Sequence, residues 1–370
     1  MSTGNQHSGT RIIIAGGGTG GHIFPAIAIA NALKKAEPSI EILFIGAKGK
    51  MEMEKVPQAG YKIEGIDIAG FNRSSLLKNI GLPFKLIKSF FQVRRIVKAF
   101  APSAVVGVGG YSTFPVLKLA QAKGIPTFIH ESNSFAGKSN MMLGKNATKI
   151  FVASDGMEKF FPAAKLQITG NPVREAIVQM HVDRHQASLS FGLDPAKQTV
   201  LVTGGSLGAK GINEAIDASL ESFAQNNVQL IWQTGKPYAA KAAARVKGAT
   251  NIWTDAFITK MENAYAAADI VISRAGAMAI AELCVVKKPV IFVPFPFAAE
   301  DHQTVNAQHL VEKHAGIMIK DSEAKEKLVP AVIALSKNEG QQRELQQNIG
   351  KLAVTDADTQ IASAILKAIK

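Results

Sequence analysis

The chain has a single cysteine in 370 residues, which excludes a disulfide framework and fits a reducing compartment. That residue, Cys284, lies in the apolar stretch AIAELCVV and reads as a packed core thiol rather than a nucleophile. Long apolar runs are missing too, since none approaches the roughly 20 residues that a membrane-spanning helix needs. The opening MSTGNQHSGT is polar and carries no apolar segment of the kind found in a signal peptide. A soluble cytoplasmic protein is expected, one still able to touch a membrane surface. Acidic residues are absent from positions 68–130, where nine residues are basic. No cluster of His, Cys and carboxylate residues has metal-ligand spacing, so neither a tightly bound metal nor a cofactor is expected.

An apolar fraction of 47% against 19% charged residues fits a globular chain, and 370 residues suit two domains. The net charge of +13 is uneven: residues 1–170 hold 21 Lys and Arg against 9 Asp and Glu, and residues 171–370 hold 21 against 20. An anionic partner is therefore expected for the first half. Short runs rich in Ile and Val recur as RIIIA, IEILFIG, AVVGVGG and IPTFIH, then as QTVLVTGG, VQLIWQTG, DIVISRAG and KPVIFVPF. Between them lie stretches of helical periodicity, among them Pro25–Ala36, Ser112–Lys123, Ile212–Ala224 and Ala277–Val286. Strands alternating with helices predict parallel sheets covered on both faces, hence two doubly wound, Rossmann-like α/β domains. The seam falls in TGNPVREAI, Thr169–Ile177, where Asn171-Pro172 has turn chemistry. The expected domains are 11–172 and 173–354, followed by a final amphipathic helix within 355–370.

Glycines gather at the strand-to-helix junctions. AGGGTGGHIFPAIAIA (Ala15–Ala30) follows the first strand, VVGVGGYS and VLVTGGSLGAKG follow two others, and VISRAGAMAIAE makes a fourth junction. There glycine lets backbone N–H groups approach an anion, and a helix N-terminus adds a favourable partial charge. Ligands of open parallel sheets bind beyond the carboxyl ends of the strands, so four such loops predict a pyrophosphate-bearing ligand in an interdomain cleft. Gly16, Gly18 and Gly21 even match the G-x-G-x-x-G spacing of a dinucleotide turn. A nicotinamide-binding unit, however, usually carries an acid at the end of its second strand. Here EILFIG runs into Ala47-Lys48-Gly49-Lys50, and the next acid is Glu52. A basic residue there suits a 2′-phosphate, so an NADP-dependent oxidoreductase, or a UDP-sugar epimerase on similar architecture, stays open as the alternative.

Taken in order, the motifs resemble those of the bacterial MurG family. They are GGTGGHIFP (Gly17–Pro25), GVGGYSTFP (Gly107–Pro115), HESN (His130–Asn133), GNPVR (Gly170–Arg174) and GGSLGAKGIN (Gly204–Asn213). Phe257-Ile258, SRAGAMAIAE (Ser273–Glu282) and VPFPFAAEDHQTVNA (Val293–Ala307) complete the set, which covers most of the chain. The resemblance implies the GT-B architecture and inverting transfer of N-acetylglucosamine from UDP-N-acetylglucosamine to a lipid-linked muramyl-pentapeptide acceptor. It implies that Ser206 and nearby backbone hold the donor diphosphate, Ile258 reads uracil through its main chain, and Glu282 accepts from the ribose hydroxyls. Arg174 positions the nucleotide, while Asn133, His302, Gln303 and backbone near Ala277 and Met278 face the sugar. Thr19, Gly20 and Gly21 approach from the first domain, where Gly18, Gly109, Gly110 and Tyr111 are expected to face the acceptor pyrophosphate. His22 becomes the candidate general base, its ordinary pKa near 6.5 suiting proton transfer near neutrality, with Glu131 as the weaker alternative. The chain departs from the commonest family pattern at Ser132, Leu207 and Ala279; the last removes a hydroxyl beside the phosphates.

The acid-free region interleaves apolar and basic residues in FNRSSLLKNIGLPFKLIKSFFQVRRIVKAF, Phe71–Phe100. A basic amphipathic segment of this kind lies at an anionic membrane surface with its apolar side down. Leu76, Leu77, Ile80, Leu82 and Phe84, with Lys78 and Lys85, are expected to touch the inner face of the cell membrane. The segment Lys88–Phe100 is expected to pack inward. Nucleic acid is not expected as a partner, because the bases are mixed with Leu, Ile and Phe rather than with stacking aromatics and polar base readers.

Overall fold

The computed structural model describes residues 9–70, 81–205, 208–298 and 301–370. Contacts divide the chain into two compact units, one running to Val173 and completed by Asp356–Lys370, the other spanning Arg174–Thr355.

Among the described residues, the first unit carries a seven-stranded sheet. Its strands are β1 (Arg11–Ala15), β2 (Glu41–Ala47), β3 (Lys62–Ile66), β4 (Ala104–Gly107), β5 (Thr127–Glu131), β6 (Lys149–Val152) and β7 (Leu166–Ile168). They lie in the order β3-β2-β1-β4-β5-β6-β7, every pair parallel. Successive strand side chains point to opposite faces, and β1 shows the consequence. Ile12 and Ile14 join one core with Ile29, Leu33 and Phe44, whereas Ile13 and Ala15 join another with Val93, Val97 and Leu117. Burial on both faces is why these strands read as continuous apolar runs. The final helix, Ala357–Ile369, sets Ile361 and Ile365 into the first of these cores, against the helix Gly20–Ala36.

The second unit has, among its described residues, a six-stranded parallel sheet of β8 (Gln198–Thr203), β9 (Val228–Gln233), β10 (Ile252–Asp255), β11 (Ile270–Ser273), β12 (Val290–Phe292) and β13 (Ile317–Met318). The order is β10-β9-β8-β11-β12-β13. Both units are therefore doubly wound α/β sheets of Rossmann-like type, as the alternation predicts.

Strand order reverses between β1 and β4 in the first unit and between β8 and β11 in the second. Such switch points splay the following loops apart and open a crevice at the strand ends. The four glycine junctions fall at these two places. Two stretches differ from expectation: Ile212–Ala224 divides into the helices Lys210–Asp217 and Leu220–Gln225, and the first helix begins at Gly20 rather than Pro25. The Thr19 carbonyl accepts from the N–H groups of His22 and Ile23, which places His22 in the first helical turn.

Candidate active site

In the first unit the loops after β1 and β4 are interlocked. The Gly17 N–H donates to the Gly109 carbonyl at 3.3 Å. His22 lies with Nδ1 3.1 Å from the Gly17 carbonyl, and Thr19 Oγ1 is 3.5 Å from the same nitrogen. A carbonyl only accepts, so the contact calls for a proton on Nδ1, and in the neutral ring Nε2 then carries the lone pair. The ring rests against Gly109, which has a φ of +94°; a Cβ there would come within 2.7 Å of Nε2. Thr19, Gly20 and Gly21 form the entry to the helix, and Tyr111 stands exposed beside Gly18 with its ring against Gly70. The Gly18 N–H, expected to face a pyrophosphate, donates instead to the buried carboxylate of Glu52 at 2.8 Å.

Glu131, at the end of β5, is buried and fully engaged. One oxygen accepts from the N–H and side-chain amide of Asn133, at 3.1 and 3.3 Å. The other accepts from the Gly137 N–H and Asn140 Nδ2, at 3.0 and 2.9 Å. This carboxylate organises its loop and orients Asn133, a geometry unlike that of the alternative base expected from sequence. Its neighbour His130 is buried with neither ring nitrogen hydrogen-bonded, and burial pushes its pKa down to about 4.

In the second unit Arg174, just before the helix Glu175–Val178, meets Glu282 on the helix Ala277–Val286. Nε donates to Oε1 at 2.7 Å and Nη2 to Oε2 at 2.8 Å, and the Tyr265 hydroxyl adds a bond to Oε2 at 3.2 Å. Burial works against the charge of Arg174, but the Glu282 hydrogen bond and charge outweigh it and hold its pKa above the usual value. Glu282 is 7% exposed. Ala277 and Met278 open their helix after Gly276, with no side-chain cap on its first N–H groups. Such a terminus suits an anion.

Gln233, at the end of β9, ties two expected donor elements together. Its Nε2 donates to the Gly205 carbonyl at 2.9 Å, and its Oε1 accepts the Ile258 N–H at 3.3 Å. Arg274 does similar work after β11, donating to the carbonyls of Val293 and Pro294 at 3.0 Å each and to Asp321 at 2.6 Å. Neither residue is singled out by sequence, because both act through partners distant in the chain. Gln303 accepts the Phe295 N–H at 3.0 Å, and His302 begins the helix His302–Glu312. Ser206 and Leu207 lie outside the described residues.

No group of three or more His, Cys, Asp or Glu converges among the described residues. The one Asp-x-Asp of the sequence, Asp356–Asp358, starts the final helix, where Asp356 accepts from Gln360 Nε2 at 3.0 Å. A cavity of about 650 Å³ beside that helix, lined by Lys149, Gln167, Gln360 and Lys367, contains none of the site residues expected from sequence.

Leu76, Leu77, Lys78 and Ile80 also fall outside the described residues. Beyond them the helix Leu82–Phe100 corrects an expectation. It buries Ser89, Val93 and Val97 on one stripe and exposes Phe84 (75%), Ile87 (57%) and Phe91 (67%) on another, with Leu82 half-buried. Residues three and four apart share a helix face, so Phe91 belongs outside with Phe84 instead of packing inward. Lys85, Lys88, Arg94, Arg95 and Lys98 are also exposed, and Lys88 pairs with Asp67 at 2.9 Å.

The glycosyltransferase family 28 N-terminal domain matches residues 12–152, and the glycosyltransferase family 28 C-terminal domain matches residues 199–361. Two sheets of this kind with these matches define a glycosyltransferase. The chain is 52% identical to the UDP-N-acetylglucosamine–N-acetylmuramyl-(pentapeptide) pyrophosphoryl-undecaprenol N-acetylglucosamine transferase of Phocaeicola vulgatus, covering 96% of each chain. The like-named protein of Bacteroides fragilis is 50% identical, over 98% of this chain and 96% of its own. The crystal structure of Acinetobacter baumannii MurG aligns with a TM-score of 0.74 at 28% identity, covering 97% of this chain and 99% of that one. The chain belongs to the family of N-acetylglucosamine transferases that these relatives define.

Proposed function

We propose that this chain transfers N-acetylglucosamine from UDP-N-acetylglucosamine to the 4-hydroxyl of lipid-linked N-acetylmuramyl-pentapeptide, inverting the anomeric centre, in peptidoglycan synthesis. The carrying observation is the near-full-length match at 52% identity to a curated transferase of that name. An epimerase or an oxidoreductase is not favoured at that likeness.

In the transfer the acceptor oxygen forms a bond to the anomeric carbon, the bond from that carbon to the diphosphate breaks, and UDP departs. Nε2 of His22 takes the hydroxyl proton, its tautomer set by the Gly17 carbonyl. The N–H groups at Ala277 and Met278 and the backbone near Gly204 and Gly205 meet the charge developing on the diphosphate, as a preorganised anion site does. With Ala279 in place of a hydroxyl-bearing residue, that stabilisation falls to backbone donors. Glu282, charged and held in place by Arg174, accepts from the ribose hydroxyls. Ile258 reads uracil through its main chain, and Asn133, His302 and Gln303 face the sugar.

The same reading places the enzyme peripherally at the cytoplasmic face of the cell membrane. No helix among the described residues is long and apolar enough to cross a membrane. Support for surface contact comes from the Phe84–Ile87–Phe91 face and its surrounding bases.

The test is transfer of radiolabelled N-acetylglucosamine to a lipid-linked muramyl-pentapeptide. His22→Ala is expected to lower turnover at least roughly tenfold while leaving UDP-N-acetylglucosamine affinity intact. Absence of transfer by the native chain would defeat the reading, and unchanged turnover in the variant would defeat the assignment of the base.

A further inference from the structure

Glu52 begins the helix Glu52–Gln58, yet it is 1% exposed. Its partners are backbone N–H groups: Oε2 accepts from Gly18 at 2.8 Å and Oε1 from Ala47 at 3.0 Å. A Cβ at Gly17 would overlap the Glu52 carboxylate, so glycine at that position makes room for the acid rather than for a ligand. Burying a carboxylate is costly, and hydrogen bonds to its charged form are what offset the cost. An apolar side chain would fill the same space without that cost.

The geometry of one peptide group gives the carboxylate its consequence. The Gly18 N–H bound by Glu52 and the Gly17 carbonyl that holds His22 Nδ1 at 3.1 Å belong to the same planar unit. Fixing one end of that plane fixes the other. The carboxylate, the peptide and the imidazole thus form a chain of hydrogen bonds, each polarising the next.

We infer that Glu52 is a positioning residue for the transfer, acting through the Gly17–Gly18 peptide to hold His22 in the tautomer and orientation that present Nε2 to the acceptor hydroxyl. The inference rests on the reading of His22 as the base. In effect a carboxylate orients a histidine with a peptide interposed between them, so the pair is invisible to any search for side chains in contact. Glu52 also takes the inward N–H of the glycine turn out of anion binding, which separates that turn from a phosphate-binding loop.

A double-mutant cycle tests it. Glu52→Gln replaces one acceptor oxygen by an amide that donates, so it cannot serve both N–H groups. The expected result is a fall in kcat of roughly tenfold or more, with KM for UDP-N-acetylglucosamine changed less than about twofold. In a His22→Ala background the same substitution is expected to cost less than about twofold, because residues acting as a unit are not additive. An equal loss in both backgrounds, or no loss from Glu52→Gln alone, overturns the inference while leaving the base assignment standing. No loss from His22→Ala overturns both. Should Glu52→Gln fail to fold, ¹⁵N imidazole shifts of the native protein decide the matter: a neutral His22 protonated at Nδ1 supports the inference, and one protonated at Nε2 overturns it.

Discussion

Arg174 and Glu282, 108 residues apart in sequence, meet as a two-point fork with both bonds under 3 Å. The planar guanidinium matches the carboxylate geometry, which a lysine does not. Arg174→Ala leaves the Glu282 charge buried with the Tyr265 hydroxyl as its remaining side-chain partner among those described above. Breaking a buried pair costs about 3–5 kcal/mol. The Arg174 side chain is 29% exposed, so water screens part of the loss and the lower end, about 3 kcal/mol, is expected. Arg174→Lys should fall between the variant and the native chain. Denaturant unfolding measures both, and a loss under about 1 kcal/mol for Arg174→Ala, the scale of an exposed pair, would show the fork to be a surface contact.

Membrane affinity should follow the outer stripe of the helix Leu82–Phe100. Each buried phenylalanine side chain contributes about 1.5–3 kcal/mol. Phe84→Glu with Phe91→Glu should therefore weaken binding to phosphatidylglycerol-containing vesicles by at least about thirtyfold, roughly 2 kcal/mol. Turnover of a water-soluble acceptor should be unchanged. Vesicle sedimentation checks the first outcome; binding equal to that of the native chain would mean that this face meets something other than lipid. The exposed bases add a salt dependence, since their attraction to anionic lipid is screened beyond a Debye length of roughly 8 Å at physiological ionic strength.

The error at Phe91 shows where sequence was legible and where it was not. Composition marked the segment as basic and apolar, but only the helical angle between Phe84, Ile87 and Phe91 assigns residues to faces. Strands such as Ile12–Ile14 and the glycine junctions were readable because their signals are local, an unbroken apolar run followed by turn residues. The burial of Glu282 is not legible in its own segment, because it depends on Arg174 and Tyr265, which are distant in the chain. In the sequence Glu52 stands out only as an acid too late in the chain for a nicotinamide site. Its contact with Gly18 depends on how the helix after β2 docks beneath the loop after β1, which neither segment encodes by itself.

Cys284 offers a probe of the second unit. It is buried, and desolvation pushes its thiol pKa up to about 12. Maleimide labelling of the native chain near pH 7.5 should therefore be slower by at least about a hundredfold than labelling in denaturant, where an ordinary thiol has a pKa near 8.5. In Arg174→Ala, labelling should accelerate in proportion to the loss of stability if it proceeds through opening of the unit. Rapid labelling of the folded native chain would contradict the burial.

His130 should make the first unit acid-sensitive in a particular window. Burial is the largest cause of its depressed pKa and the nearby His22 charge acts in the same direction; Gly170 and Asn171 lie close, but neither ring nitrogen has a well-formed hydrogen bond. With a pKa of about 4 when folded and 6.5 when unfolded, the unfolded chain binds the extra proton between those values. Stability therefore rises with pH across that interval and is lost as pH falls from 6.5 towards 4, by a total on the order of 3 kcal/mol. Above 6.5 the group is neutral in both states and contributes nothing to the slope. His130→Leu removes the titration and leaves no hydrogen bond broken. Denaturant unfolding of both proteins at several pH values isolates the histidine from the carboxylates that titrate in each. The native curve should drop more steeply than the variant curve between pH 6.5 and 4, and parallel curves would show that His130 takes up its proton in the folded protein as readily as in the unfolded one.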